Sequence, residues 1–193
     1  PAMQPYTAPL RDLRFVISEV LMLHEREDVA GYADLHADTV EAILGEAGKI
    51  AGEVLAPLNP AGDAGCLLEN GVVRTPKGFR AAFDALRAGG WPALECAEDY
   101  GGQGLPNVMA LAVGEIHSAA NMALMMYQGL THGAYSAIEK HGSPEQKAIY
   151  LPKLTSGQWM GTMNLTEPQC GTDLGLIRTR AEPAPDGSWR LTG

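Results

Sequence analysis

The sequence is short of basic residues, cysteine and aromatics, and it has no long apolar run. Fourteen Lys and Arg stand against 23 Asp and Glu, a formal net charge of −9. A surface of that sign repels a phosphate backbone, which argues against nucleic acid as a partner. A nucleotide would have to be held by backbone amides and local dipoles instead. The three cysteines, Cys66, Cys96 and Cys170, are scattered, with no C-x-x-C pair. That pattern argues against a zinc site and for a reducing compartment. None of the five histidines has a second His or Cys three or four residues further on, so they read as surface or core residues rather than metal ligands. No apolar stretch approaches the length of a membrane span, and no charged segment precedes an apolar core at the N-terminus. The expectation is a soluble cytoplasmic protein without a membrane span. Aromatics make up 6% of the 193 residues and hydrophobic residues 46%. Plentiful Ala, Gly, Leu and Met suit closely packed helices better than a large β-sandwich.

The apolar spacing predicts a helix over 10–23 and a second over 34–54, stopped by Pro57 and Pro60. Residues 57–75 read as a loop with a turn at Asn70-Gly71. Thr75-Pro76 reads as an N-cap and first helical residue, opening a helix that runs to Arg87 and ends at Gly89-Gly90. Residues 91–105 are irregular. A long apolar helix is expected from Pro106 to about Tyr127, and another over 132–141. Ser143-Pro144-Glu145-Gln146 is a capping-box signature for a helix reaching Leu151. After Gln158 the texture changes. Residues 161–165 look extended, residues 177–181 alternate as a strand does, Asp186-Gly187 marks a turn, and residues 188–192 read as the partner strand. The chain thus reads as mainly α, with a helical domain over 1–158 and the start of a β domain over 159–193.

Few residues suggest chemistry by themselves. Gly101-Gly102-Gln103-Gly104 lacks the lysine of a P-loop and reads first as a structural turn. Met122, Met125 and Met126 read first as helix core. Cys170 has no base beside it in sequence and makes a poor nucleophile. The segment from Thr166 to Asp173 turns sharply at Pro168 into a loop carrying Gly171, Thr172 and Asp173. Such a loop presents backbone N–H groups and a hydroxyl to a diphosphate, while the preceding residues offer hydrogen bonds to a planar heterocycle.

Thr166-Glu167-Pro168-Gln169-Cys170-Gly171-Thr172-Asp173 resembles the T-E-P-x-x-G-[ST]-D signature of acyl-CoA dehydrogenases. The approach to it through His141-Gly142-Ser143-Pro144-Glu145-Gln146-Lys147 and Tyr150-Leu151-Pro152-Lys153-Leu154 also resembles that family. So do the turn Glu98-Asp99-Tyr100-Gly101-Gly102-Gln103-Gly104 and the later strands Ile177-Arg178-Thr179-Arg180-Ala181 and Leu191-Thr192-Gly193. Further cues, among them Thr75-Pro76-x-Gly78-Phe79 and Gly104-Leu105-Pro106, resemble the longer bacterial branch that includes methylmercaptopropionyl-CoA dehydrogenase.

The resemblance implies an N-terminal helical domain, a middle β-barrel and a C-terminal helical bundle, with only the first domain and the opening strands of the barrel in this sequence. It implies FAD as cofactor, an acyl-CoA thioester as substrate and an enoyl-CoA as product. An electron-transfer flavoprotein is the implied acceptor, and a homo-oligomer, dimer or tetramer, the implied assembly. Met163, Leu165 and Thr166 take the positions that contact the flavin ring, and Gly171 and Thr172 those near the diphosphate. Thr172 also matches a substrate-contacting serine, and Met125 and Met126 border the acyl pocket. No glutamate here takes the place of the catalytic base, which the resemblance puts in the C-terminal bundle, so this chain alone is expected to be inactive. An acyl-CoA oxidase, a nitroalkane oxidase and a non-catalytic subunit of a heteromeric dehydrogenase are the alternatives.

Overall fold

The computed structural model describes residues 5–26, 28, 29 and 31–193. They divide into two compact units, one ending at Thr162 and one beginning at Met163. The first is helical. α1 (Leu10–Phe15) runs on through a π turn over Val16–Val20, burying Ile17. α2 (Ala37–Ile50) buries Val40, Leu44 and Ala47, the i, i+4, i+7 stripe of an amphipathic helix. Its path continues through a π turn (Ala51–Leu55) and a 3₁₀ turn (Ala56–Leu58) into the short α3 (Asn59–Asp63). Pro57 and Pro60 therefore do not stop the helical path. Each sits in the first turn of a new short segment, where the missing proline N–H costs nothing.

β1 (Leu67–Glu69) and β2 (Val72–Arg74) form an antiparallel hairpin. Asn70 and Gly71 have φ of 52° and 76°, the paired positive angles that a tight I′ turn needs. Thr75 is not a cap. α4 (Phe79–Ala88) begins four residues later, after Gly78 at φ 91°. Its buried stripe is Phe79, Ala82 and Leu86; nothing between 75 and 78 adds to that stripe, so the apolar face sets where the helix starts.

The apolar stretch from Pro106 is two helices meeting at an angle. α5 (Asn107–Ala120) ends at Asn121, whose backbone leaves the helical region (φ −156°, ψ 88°), and α6 (Met122–His141) follows without a second break near Thr131. Asn121 is 1% exposed. Its side-chain oxygen accepts the Leu124 N–H at 3.0 Å, and its Nδ2 donates to the Leu55 carbonyl at 3.0 Å. The same side chain thus caps α6 and ties the junction to the end of the π turn. Asn121→Ala removes both bonds and leaves a buried N–H and a buried carbonyl unpaired. We expect it to cost about 2 kcal/mol, read as a lowered urea midpoint at unchanged m-value.

α7 (Pro144–Thr155) opens with the expected capping box. Ser143 Oγ accepts the Gln146 N–H at 3.2 Å, and Gln146 Oε1 accepts the Ser143 N–H at 2.9 Å. Ser143→Ala should cost about 1 kcal/mol in equilibrium unfolding.

The main core gathers α1, α2, α4, α5 and α6 around Leu44, Leu55, Leu86, Met109, Ile116 and Leu124. A smaller cluster of Cys96, Tyr135, Leu151 and Leu154 joins α6 to α7. Between these two clusters the chain doubles back: Gln103 donates to the Ala93 carbonyl, Gly104 to Cys96 and Leu105 to Leu94, at 2.8–3.0 Å. Among the described residues no helix is long and apolar enough to cross a membrane.

The second unit contains an irregular loop, a 3₁₀ turn over Leu174–Leu176, and a hairpin of β3 (Arg180–Pro183) and β4 (Trp189–Thr192). Its turn is braced by Asp186, whose Oδ1 accepts from the Ser188 N–H and hydroxyl at 3.0 and 2.6 Å. Both strands are exposed along their length. Residues 161–165, expected to be extended, form no strand.

Candidate functional site

The segment entering the signature leaves the helical unit at a point of close contact. A Cβ placed on Gly161 would lie 2.5 Å from Ala134 Cβ and 2.9 Å from the Leu130 carbonyl oxygen. The Gly161 N–H donates to Thr131 Oγ1 at 3.1 Å, and that hydroxyl in turn donates to the Tyr127 carbonyl at 2.7 Å. Thr131 is therefore a polar peg on α6, and only glycine fits against it.

The signature itself is a pinched loop in the second unit. Glu167 and Cys170 exchange backbone hydrogen bonds at 2.9 and 3.1 Å. Cys170 is 6% exposed, whereas Thr166, Gly171 and Thr172 are exposed. A Cβ on Gly171 would meet Thr166 Cγ2 at 3.5 Å, so the two ends of the loop lie side by side. Asp173 Oδ1 accepts the Gly175 N–H at 3.0 Å and caps the following turn. Met163 and Leu165 are 62% and 45% exposed. The five residues expected at a flavin thus lie on one short segment, presenting apolar side chains, two hydroxyls and a glycine backbone. That donor and surface set fits a planar heterocycle joined to a diphosphate.

Glu167 organises this loop, and the sequence reading gave it no role. Its Oε1 accepts from the Thr179 N–H at 2.9 Å and the Thr179 hydroxyl at 2.6 Å, and its Oε2 accepts from the Arg178 N–H at 3.0 Å and from Gln169 Nε2. The Thr179 hydroxyl and the two backbone amides hold the carboxyl far below its usual range, at about 2. The sequence signal was the acid at a fixed place in the signature. Two of its four partners are backbone amides, which leave no side-chain trace.

Met125 and Met126 are not brought together. As neighbours on α6 they point about 100° apart: Met125 is 8% exposed and Met126 53%. Met125 faces a cavity of about 200 Å³ in the helical unit, lined also by Trp91, Glu95, His117, Gln128 and His132. Glu95 pairs with His132 at 3.1 Å and accepts from the Asn107 amide. Gln128 Nε2 donates to the Trp91 carbonyl at 3.0 Å. His117 is fully buried, edge-on to Trp91 with ring centroids 5.3 Å apart. Burial pushes its imidazole down to about 4; the Ala47 carbonyl opposes this weakly, without meeting hydrogen-bond geometry. His117 is therefore a neutral core residue at pH 7, although it borders the cavity.

Gly101-Gly102-Gln103-Gly104 is the structural turn that its composition suggests. Gly101 and Gly104 have φ of 84° and 61°, and the Gly102 N–H donates to the Ala97 carbonyl at 3.0 Å. Cys96 is buried, and that burial raises its thiol pKa, the reverse of an activated nucleophile.

Residues 38–158 match the family model described as acyl-CoA dehydrogenase, N-terminal domain. Among curated relatives, the chain is 42% identical over 189 residues to 3-methylmercaptopropionyl-CoA dehydrogenase of Ruegeria pomeroyi, covering 97% of this chain and 32% of that protein. It is 32% identical over 200 residues to a butyryl-CoA dehydrogenase of Syntrophomonas wolfei, again covering 32% of the relative. Among solved structures, an acyl-CoA dehydrogenase complexed with FAD from Bacillus anthracis superposes with a TM-score of 0.66 at 24% identity, over 83% of this chain and 26% of that one; at that identity the likeness shows the fold. The chain spans about a third of the length of the curated relatives it matches. A family model matched over most of the helical unit, with relatives matched along nearly the whole sequence, shows the family: the chain belongs to the acyl-CoA dehydrogenases and carries their N-terminal domain.

Proposed function

We propose that this chain is the front part of an FAD-dependent acyl-CoA dehydrogenase, which converts an acyl-CoA thioester to the α,β-enoyl-CoA. The observation that carries the reading is the exposed, pinned loop over 166–173 in a chain of this family. In this reading FAD, when bound, supplies the hydride-accepting chemistry. Met163 and Leu165 offer apolar surface to the flavin ring, and Thr166 offers it a hydroxyl. Gly171 lets the backbone approach the diphosphate, and Thr172 adds a hydroxyl near both diphosphate and substrate. Met126, exposed on α6, is the better candidate of the two methionines for contact with an acyl chain, and Met125 shapes the wall behind it. Residues 159–193 are the opening strands of a β-barrel domain. The exposed faces of β3 and β4 favour this, because a lone two-stranded ribbon is marginal in water.

Among the described residues, no acid has the setting of a base for the α-proton. Glu167 is saturated with donors and too acidic. The base, the remaining wall of the flavin site and turnover therefore belong to a longer polypeptide that contains this chain. An electron-transfer flavoprotein is the acceptor in this reading, and the assembly is a homo-oligomer. The test is anaerobic addition of acyl-CoA thioesters to that longer polypeptide. Bleaching of the flavin band and formation of an enoyl-CoA are expected. No bleaching with short-, medium- or long-chain thioesters would overturn the reading, and rapid O₂ consumption would favour the oxidase alternative.

A further inference from the structure

The loop over 166–173 could be held in two ways. It could rest on its own backbone, or it could be tied to the chain that follows. Its own backbone supplies one bridge, Glu167 with Cys170. The tie to the following chain runs through the Glu167 side chain. Both carboxylate oxygens are used, by the Arg178 N–H, the Thr179 N–H and the Thr179 hydroxyl, eleven and twelve residues further on, and by Gln169 across the turn. Gln169 Nε2 reaches on to the Leu176 carbonyl at 3.3 Å. All four donors are neutral, so the carboxylate holds the segment by direction as much as by charge. Two of them are backbone amides at the approach to β3, which fixes the loop to the strand rather than to a mobile side chain.

We infer that Glu167 is a positioning residue: its carboxylate clamps the signature loop to the backbone entering β3, and so holds Thr166, Gly171 and Thr172 in register for the dinucleotide. This inference rests on the flavin reading above. The clamp acts through its neighbours and does not touch the reacting atoms. It explains why an acid sits between the flavin-facing Thr166 and the turning Pro168, in a protein whose net charge already disfavours an anionic ligand. An acid there is tolerable because its charge is spent on four inward donors. A glutamine cannot serve them all, since its NH₂ would face an N–H or a hydroxyl. An aspartate is one methylene too short to reach both sides.

The test uses the longer polypeptide purified with its flavin, as wild type, Glu167→Gln, Glu167→Ala and Glu167→Asp. Glu182→Gln, an exposed acid on β3 that pairs with Arg180 at 3.2 Å, is the control. The readouts are the FAD dissociation constant, the visible circular dichroism of the bound flavin, and amide exchange at Arg178 and Thr179. We expect FAD binding weakened roughly ten-fold or more in the Gln and Ala variants, the scale of one lost charged hydrogen bond. We also expect a changed flavin dichroism, faster exchange at both amides, and an unchanged control. Wild-type affinity and dichroism in folded variants would overturn the clamp alone. A wild type that binds no FAD would overturn the flavin reading and this role with it. If Glu167→Ala loses its far-UV signal, Glu167→Asp decides: weakened FAD binding in a folded protein supports the clamp, and wild-type binding overturns it.

Discussion

Gly102→Ala is expected to destabilise the helical unit by about 3 kcal/mol or more. A Cβ at Gly102 would lie 1.9 Å from the Cys96 carbonyl oxygen, 2.3 Å from its carbon and 2.6 Å from Cys96 Cβ. These are backbone atoms and the stem of a residue 1% exposed, so no flexible side chain can swing away. Relief requires pulling residues 102–105 off residues 93–97, which breaks the hydrogen bonds joining Gln103 to Ala93, Gly104 to Cys96 and Leu105 to Leu94. It also opens the joint between the two apolar clusters. Gly101→Ala is the matched comparison. Gly101 has φ 84° but nothing within 4 Å of an added Cβ, so only the left-handed strain applies, about 1 kcal/mol. At this chain length about 3 kcal/mol lowers the melting temperature by roughly 6–12 °C, and about 1 kcal/mol by roughly 2–4 °C. Calorimetry on both variants measures the difference; equal losses would contradict the close-packed turn.

Acid is expected to cost the protein about 3 kcal/mol through His117 alone. Burial lowers the folded imidazole to about 4 from an ordinary 6.5. Between those values the unfolded chain binds a proton that the folded chain refuses. Stability therefore rises with pH through this window; it is fully present above pH 6.5 and is lost as pH falls towards 4. His117→Gln removes the titration while keeping a polar side chain of similar reach. Urea midpoints measured from pH 7 to pH 4.5 should fall more steeply in the wild type than in this variant. Parallel profiles would contradict a neutral, buried His117.

What could be read from the sequence was what is decided locally. The capping box at Ser143, the turn at Asn70-Gly71 and the Asp186-Gly187 hairpin each depend on residues within three or four positions, and each formed as expected. The signature loop was legible for the same reason. What was misread depends on distant partners. Asn121 looks like a tolerated polar residue inside an apolar helix, yet it breaks the helix because the Leu55 carbonyl, far away in sequence, is there to receive its amide. Thr75-Pro76 carries a strong local start signal that lost to the position of Phe79, whose burial sets where α4 can begin. Pro57 and Pro60 were read as stops because a single helix was assumed; a path that restarts every few residues accepts both. The organising role of Glu167 was missed because two of its four donors are backbone amides at 178 and 179, and its strongest side-chain donor, Thr179, lies twelve residues away.

In the proposed function this chain supplies one wall of a flavin site, and a longer polypeptide that contains it supplies the base and the opposing wall. FAD titration of the 193-residue chain beside the longer polypeptide, each followed by dye reduction with acyl-CoA, tests this most directly. Stoichiometric flavin and turnover are expected in the longer polypeptide, and neither in the chain alone. A yellow 193-residue chain that reduces the dye would contradict this reading.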